Sequence, residues 1–232
     1  MTLNVTIPTI EGDSNFGGYI ARPSGPAKAA IIVIQEIFGV NPGIRQKCDK
    51  LAADGYVALA PDLFWRLAPG ISLDPDIEAE FQQALDWMGK FDQDAGIRDI
   101  QAAINFLRNA EGTAKVGCVG YCLGGRLAYM TAARTDIDAS VGYYGVGIDG
   151  LLHEKEAIAN PLMLHIPTQD GFVPRETQAA MHAGLDDHPR VTLHDYDGLD
   201  HGFATEHGKR RVEDAANLAD SRTAAFFAEH LA

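Results

Sequence analysis

Val116-Gly117-Cys118-Val119-Gly120-Tyr121-Cys122-Leu123-Gly124-Gly125 is the stretch that decides the fold. A short apolar strand, Lys115 to Val119, runs almost directly into a helical period from about Gly124 to Arg134. A strand joined to a helix through Gly-x-Cys-x-Gly has the form of a nucleophile elbow, with cysteine where serine is more usual. Such a turn is sharp, and side chains at Gly120 and Gly124 would collide with the neighbouring strand and helix. The helix N-terminus then turns free N–H groups and its positive dipole end toward Cys122. That setting lowers a thiol's pKa from about 8.5 and favours the thiolate. It also makes the Leu123 N–H an oxyanion donor. Alone, the pentapeptide fits a glycine-rich turn around a structural cysteine equally well. Cys118 reads as core packing, and a Cys118–Cys122 metal pair is not expected, since zinc sites use Cys-x-x-Cys and further ligands.

Outward from the elbow, short apolar runs alternate with helical periods. Residues 3–8 and 17–22 read as edge strands, and 29–35 (AAIIVIQ) as a strand buried on both faces. Further strands are expected at 56–60, 141–144, 162–166 and 191–196. Helices are expected at 43–54, closed by Gly55, and at 76–90, 95–110, 175–186 and 212–230. The second of these long helical periods keeps Ile97, Ile100, Ala103, Ile104 and Leu107 on one face. The alternation predicts one α/β domain over residues 1–232, with a mostly parallel sheet covered on both faces. Chemistry in such a sheet lies at the carboxyl ends of the strands.

Chain order separates the two meanings of the elbow. An elbow enzyme carries its acid next and its histidine last. Asp170 follows the strand at 162–166, in HIPTQDGFVP, and His201 follows the strand at 191–196, in YDGLDHGF. Cys122, Asp170 and His201 thus stand in the required order, each just past a strand. Asp170 taken alone is a turn former beside Gly171. Asp197 and Asp200 are rivals, although Asp200 adjoins His201 and would struggle to reach back to its ring. His165 reads as a satisfied core histidine and His194 as strand surface; His153, His182, His188, His207 and His230 read as surface residues. Gln35-Glu36-Ile37-Phe38-Gly39 ends the longest apolar run, which sets the Glu36 carboxylate at the edge of the expected site. There it can hydrogen-bond the Cys122 thiol or accept its proton, and the Ile37 N–H is a second oxyanion donor.

With these motifs in hand, residues 29–232 resemble the dienelactone hydrolase family of α/β-hydrolases. The likeness rests on QEIFG at 35–39, LAADGYVALAPDLF at 51–64, GYCLGG at 120–125, VGYYGVG at 141–147, QDGFVP at 169–174 and HGF at 201–203. The resemblance implies an α/β-hydrolase fold and a triad of Cys122, Asp170 and His201, with Glu36 controlling the thiol. It also implies that substrate binding moves Glu36, which takes the thiol proton so that the thiolate attacks a lactone or ester carbonyl. His201 then assists release and hydrolysis of the acyl-enzyme.

The chain departs from the family where the founding lactonases hold the substrate's carboxylate with two arginines. The matching positions here are Phe81 and Thr205. The resemblance therefore carries the triad over without the dienelactone substrate, and a neutral ester or lactone is expected. Arg126 and Arg66 are cations that would substitute for the missing arginines. Phe38, Phe81 and Trp87 point to an apolar pocket, and Tyr144 is a further candidate for its lining.

Composition narrows the remaining classes. The 232 residues are 46% hydrophobic, enough for a large core, and 19 Lys and Arg against 32 Asp and Glu leave a net charge of −13. That balance argues against nucleic acid and against an anionic membrane surface. No apolar run approaches the roughly 18 residues of a membrane span. MTLNVTIPTI lacks the basic and apolar regions of a signal peptide, so a cytoplasmic protein with three reduced cysteines, Cys48, Cys118 and Cys122, is expected. The expectation is a monomeric or weakly dimeric hydrolase of a small ester or lactone, needing neither metal nor organic cofactor. The alternatives are a cysteine-elbow enzyme that repairs carbonyl or oxidative damage, and a catalytically silent binding protein on the same fold.

Overall fold

The computed structural model describes residues 3–206 and 208–231, so His207 lies outside the described residues. Its eight strands are β1 (Val5–Pro8), β2 (Asn15–Ala21), β3 (Ala30–Ile34), β4 (Val57–Pro61), β5 (Val116–Tyr121), β6 (Ala139–Tyr143), β7 (Leu162–Pro167) and β8 (Val191–Tyr196). The helices are α1 (Pro42–Ala53), α2 (Glu78–Lys90), α3 (Gln93–Ala110), α4 (Leu123–Arg134), α5 (Arg175–Leu185) and α6 (Glu213–His230). The strands form one sheet in the order β1-β2-β4-β3-β5-β6-β7-β8. From β4 to β8 every neighbouring pair is parallel, while β1 and β2 run antiparallel.

The central strands are buried along their whole length, which is why they read as unbroken apolar runs. The Ile97, Ile100, Ala103, Ile104 and Leu107 stripe of α3 is buried against this sheet. Asn41 caps α1 by accepting the Ile44 N–H, and Pro42 opens that helix. Asp92 caps α3 by accepting from Ala95. Gly55, at φ +98°, turns the chain out of α1 into β4, a conformation glycine reaches without steric cost.

Two local features differ from the sequence expectation. β2 is not an edge strand: it pairs with β1 on one side and β4 on the other, and the second edge of the sheet is β8. The alternation of exposed and buried residues in β2 reflects one covered face rather than an open edge. A 3-10 segment, Asp149–Ala157, follows β6; its polar run DGLLHEKEA carries no helical stripe that periodicity could have caught. Among the described residues, no helix is long and apolar enough to cross a membrane.

The parallel register has one consequence for function. The carboxyl ends of β3, β5, β6, β7 and β8 lie along one rim, with Ile34 opposite Gly120, Tyr121 opposite Tyr143, and Pro167 opposite Tyr196. Glu36, Cys122, Tyr144, Asp170 and His201 all follow those ends.

Candidate active site

At the end of β5 the chain turns into α4 through Cys122, whose backbone sits at φ 56° and ψ −114°. A non-glycine residue held there stores roughly 1–3 kcal/mol of strain. The glycines around it make the turn possible. A Cβ at Gly120 would lie 1.9 Å from the Gly124 carbonyl oxygen, and one at Gly124 would lie 2.4 Å from that of Ile34. The Cys122 N–H donates to the Tyr143 carbonyl at 3.1 Å, which ties the elbow to the neighbouring strand end.

Of the three cysteines, Cys122 alone is partly exposed. Cys118 lies in the core with Sγ donating to Ser140 Oγ at 3.3 Å, and burial pushes its thiol up to about 12. Burial raises the Cys48 thiol as well. Neither buried thiol is set up to ionise near neutral pH.

His201 and Asp170 meet across the ends of β8 and β7. His201 Nδ1 lies 2.9 Å from Asp170 Oδ2, and both side chains are almost fully buried. The other Asp170 oxygen accepts the Phe172 N–H at 2.8 Å, which fixes the carboxylate's orientation. Cys122 lines the same cavity as this imidazole. Burial disfavours the imidazolium, but negative charge at Cys122 and the bond to Asp170 outweigh it and raise the His201 pKa to about 10. The rivals are elsewhere. Asp197 accepts from the Thr168 hydroxyl at the surface. Asp200 Oδ1 binds the N–H groups of Gly171 and His201, so it holds the two loops together without touching the ring. His165 is a core histidine satisfied by Tyr196 at 2.7 Å and Thr223 at 3.0 Å. His194 lies partly buried in β8, its ring stacked 5.8 Å from that of His165.

Glu36 follows β3 and is 9% exposed, on the wall of the cavity that holds Cys122 and His201. Burial raises its carboxyl above the ordinary glutamate range, although His201, Lys47 and Arg210 pull in the opposite direction. Ile37 and Leu123 line the same cavity. Among the described residues neither N–H has a backbone partner, as an oxyanion site requires.

The cavity has a volume of about 300 Å³. Phe38 and Phe81 stand in its wall with ring centroids 5.8 Å apart, and Thr205 and Arg126 line it as the sequence suggested. Leu85, Met88, Val146 and Phe172 complete an apolar surface that the sequence did not reveal.

Three candidates are corrected. Trp87 packs on the core beside the cavity; α2 presents Leu85 and Met88 there instead. Arg66 is spent on Asp99, with Nη2 3.0 Å from Oδ1, and lies over the Trp65 ring. Tyr144 is absent from this lining: its ring packs edge-on against His201 at 4.9 Å and its side chain faces a second cavity. The expectation of a neutral pocket also fails, because Lys209 and Arg210 line the cavity with Arg126. Arg210 stands over the Phe172 ring at 5.6 Å, and the buried Nε of Arg126 has no hydrogen-bond partner among the described residues. A basic run, Lys209-Arg210-Arg211, in a chain of charge −13 was the signal available for two of them.

Comparison with known proteins places this arrangement among relatives. A family model described as "Dienelactone hydrolase family" matches residues 16–231. A protein of Azospirillum brasilense described as "Putative carboxymethylenebutenolidase" is 43% identical over 232 residues, covering 98% of this chain and 99% of that protein. The carboxymethylenebutenolidase of Pseudomonas putida is 38% identical over 229 residues, covering 98% of this chain and 97% of that protein. A crystal structure from Klebsiella pneumoniae, described as "Putative Dienelactone Hydrolase", is 27% identical with a TM-score of 0.81, covering 97% of this chain and 99% of that one.

Proposed function

This chain belongs to the dienelactone hydrolase family, and from that premise we propose that it hydrolyses a small ester or lactone through Cys122, His201 and Asp170, with Glu36 as the base that activates the thiol. The observation that carries this assignment is the Asp170–His201 pair at 2.9 Å, with Cys122 at a strained elbow in the same cavity. A cysteine alone would serve many chemistries. A cysteine beside an imidazole that a buried carboxylate orients is suited to acyl transfer.

Glu36 takes the Cys122 proton, and the thiolate adds to the carbonyl carbon of the substrate. The carbonyl oxygen becomes an anion, held by the Leu123 and Ile37 N–H groups. When the tetrahedral adduct collapses, the carbon–oxygen bond breaks and imidazolium His201 gives its proton to the departing alkoxide. In a lactone that alkoxide stays tethered to the acyl group. Neutral His201 then takes a proton from water as the hydroxide adds to the thioester. Collapse releases the carboxylic acid, Glu36 returns its proton to the departing sulfur, and His201 keeps the proton it took from water, which restores both groups for the next turnover. Asp170 keeps Nδ1 protonated, so that Nε2 faces the reacting atoms.

The apolar wall of Phe38, Phe81, Leu85 and Met88 suits a substrate with a hydrocarbon body, and Arg126, Lys209 and Arg210 leave room for an anionic group on it. The pairing of Asp170 with His201 favours hydrolysis over repair chemistry, which needs a cysteine and an acid but no oriented imidazole. The test is hydrolysis of p-nitrophenyl and lactone substrates by the purified protein, with competition by a thiol-reactive probe. Activity that is lost in step with alkylation of Cys122 supports the proposal. Full activity after complete alkylation of Cys122 refutes it.

A further inference from the structure

Behind Glu36 lies a second cavity, of about 500 Å³, that the mechanism above does not use. It shares Glu36, Pro75 and Thr205 with the substrate cavity, so the two meet at the base and at one wall. Their characters differ. Phe38, Phe81, Leu85, Met88 and Phe172 make most of the substrate cavity apolar. The second cavity has an exposed rim at Pro42, Ser72, Asp74 and Ile77 and a buried polar floor of Lys47, Tyr121, Tyr144 and Glu206. It is a funnel from solvent to Glu36 that bypasses the substrate's entrance.

Two hydroxyls on this funnel are buried and have no hydrogen-bond partner among the described residues: Tyr144 Oη, on a residue 2% exposed, and Thr205 Oγ1. Tyr144 is held at φ 40°, in the left-handed region; its ring packs edge-on against His201, and the residue lines the funnel. Burial raises its phenol well above the ordinary tyrosine value, so the hydroxyl keeps its proton. On the floor, Lys47 Nζ lies 2.9 Å from Glu206 Oε1. A buried hydroxyl without a protein partner costs free energy unless water pairs with it, and a bound water needs two to four polar neighbours. The funnel supplies donors and acceptors of that kind.

Deacylation needs a water at the thioester while the acyl group fills the substrate cavity. An acyl chain on Cys122 stands between sulfur and the apolar entrance, so water arriving from that side must pass it. We propose that the hydrolytic water reaches the acyl-enzyme from the second cavity, past Glu36, and that Tyr144 is a positioning residue for it. This rests on the acyl-enzyme chemistry proposed above. Tyr144 takes part in no bond change: water adds to the thioester carbon, its proton passes to His201, and the carbon–sulfur bond breaks as Glu36 returns its proton to sulfur.

The experiment is stopped-flow hydrolysis of a p-nitrophenyl ester by Tyr144→Phe, with intact-mass analysis of quenched samples. The variant keeps the ring packed on His201 and removes only the hydroxyl. Nitrophenolate release in the first turnover is expected to stay within about twofold of the parent, while deacylation slows by about fivefold or more. A burst should appear and an acyl adduct should accumulate on Cys122. Tyr144→Phe combined with Thr205→Val should slow deacylation further. Equal loss in both steps, or unchanged deacylation, overturns the water route. A high-resolution crystal structure gives a second readout: ordered waters on Tyr144 Oη and Thr205 Oγ1 are expected, and a dry funnel overturns the inference without reference to activity. If the parent protein never forms an acyl adduct on Cys122, the proposed function itself fails, and that result is distinct from the others.

Discussion

The floor and the walls of the substrate cavity are built in different ways. Cys122, Asp170, His201 and Glu36 follow the ends of parallel strands, along the rim that the sheet register sets, and all but Cys122 are buried. The walls come from α2, which supplies Phe81, Leu85 and Met88, and from the segment that carries Thr205, Lys209 and Arg210. α2 buries only Ala84 completely, and its N-cap, Ile77, offers no side-chain acceptor to the first turn. The contrast teaches that this molecule keeps the groups proposed to react at the ends of its sheet and the groups proposed to contact substrate on lightly anchored segments. Substitutions on the floor should therefore change turnover by orders of magnitude, and those on the walls should change preference by small factors.

The largest effect tests the floor itself. Cys122→Ala is expected to lower kcat by at least about a thousandfold, whereas Cys118→Ala, four residues away and buried, should keep most activity. Steady-state kinetics on both variants decides it; equal losses would erase the distinction between elbow and core.

Asp170→Asn should cost about a hundredfold or more in kcat, because the imidazole loses the acceptor that fixes its tautomer. Asp197→Asn should cost little, and the reverse outcome would move the orienting role away from Asp170.

The pH profile then separates the two titrating members of the floor. Glu36 works ionised, and burial raises its pKa, so kcat/KM should fall on the acid side at a pH above the ordinary glutamate range. Glu36→Gln should abolish that acid limb. His201 works as a proton donor in acylation and is raised to about 10, so the alkaline limb should lie near that pH. An alkaline limb near the ordinary histidine value would show that His201 gains nothing from its partners.

The smallest expected effect belongs to the walls. Arg126→Gln should reduce kcat/KM for a carboxylate-bearing ester by about tenfold relative to a neutral ester of similar size, with the neutral ester nearly unchanged. Equal loss on both esters would make Arg126 part of the floor, and no change on either would leave it outside the substrate's reach.

The same division marks what could be read before folding. The strands AAIIVIQ, YVALA and VGCVG announce themselves because full burial demands unbroken apolar runs, and a parallel sheet follows from their alternation with helices. The elbow was legible because a tight turn excludes side chains at Gly120 and Gly124, a local requirement that leaves a local mark. The order Cys122, Asp170, His201 was legible because each follows a strand. The edge at β8 and the inner place of β2 were not, since half-covered strands look alike wherever they stand in a sheet.

By itself, then, the sequence determined the class of fold and marked the candidate nucleophile, with an acid and a histidine in the order the proposed mechanism uses, because those depend on periodicity, glycine and chain order. Only the tertiary structure decided that Asp170 and not Asp197 meets His201, that Arg66 is bound to Asp99, and that Arg126, Lys209 and Arg210 surround one cavity. It alone turned Tyr144 away from the substrate and toward a second chamber behind Glu36. The reason is physical. Spacing along the chain sets which face of an element a residue occupies, but contacts between residues tens of positions apart are set by how whole elements pack, and no local pattern records that.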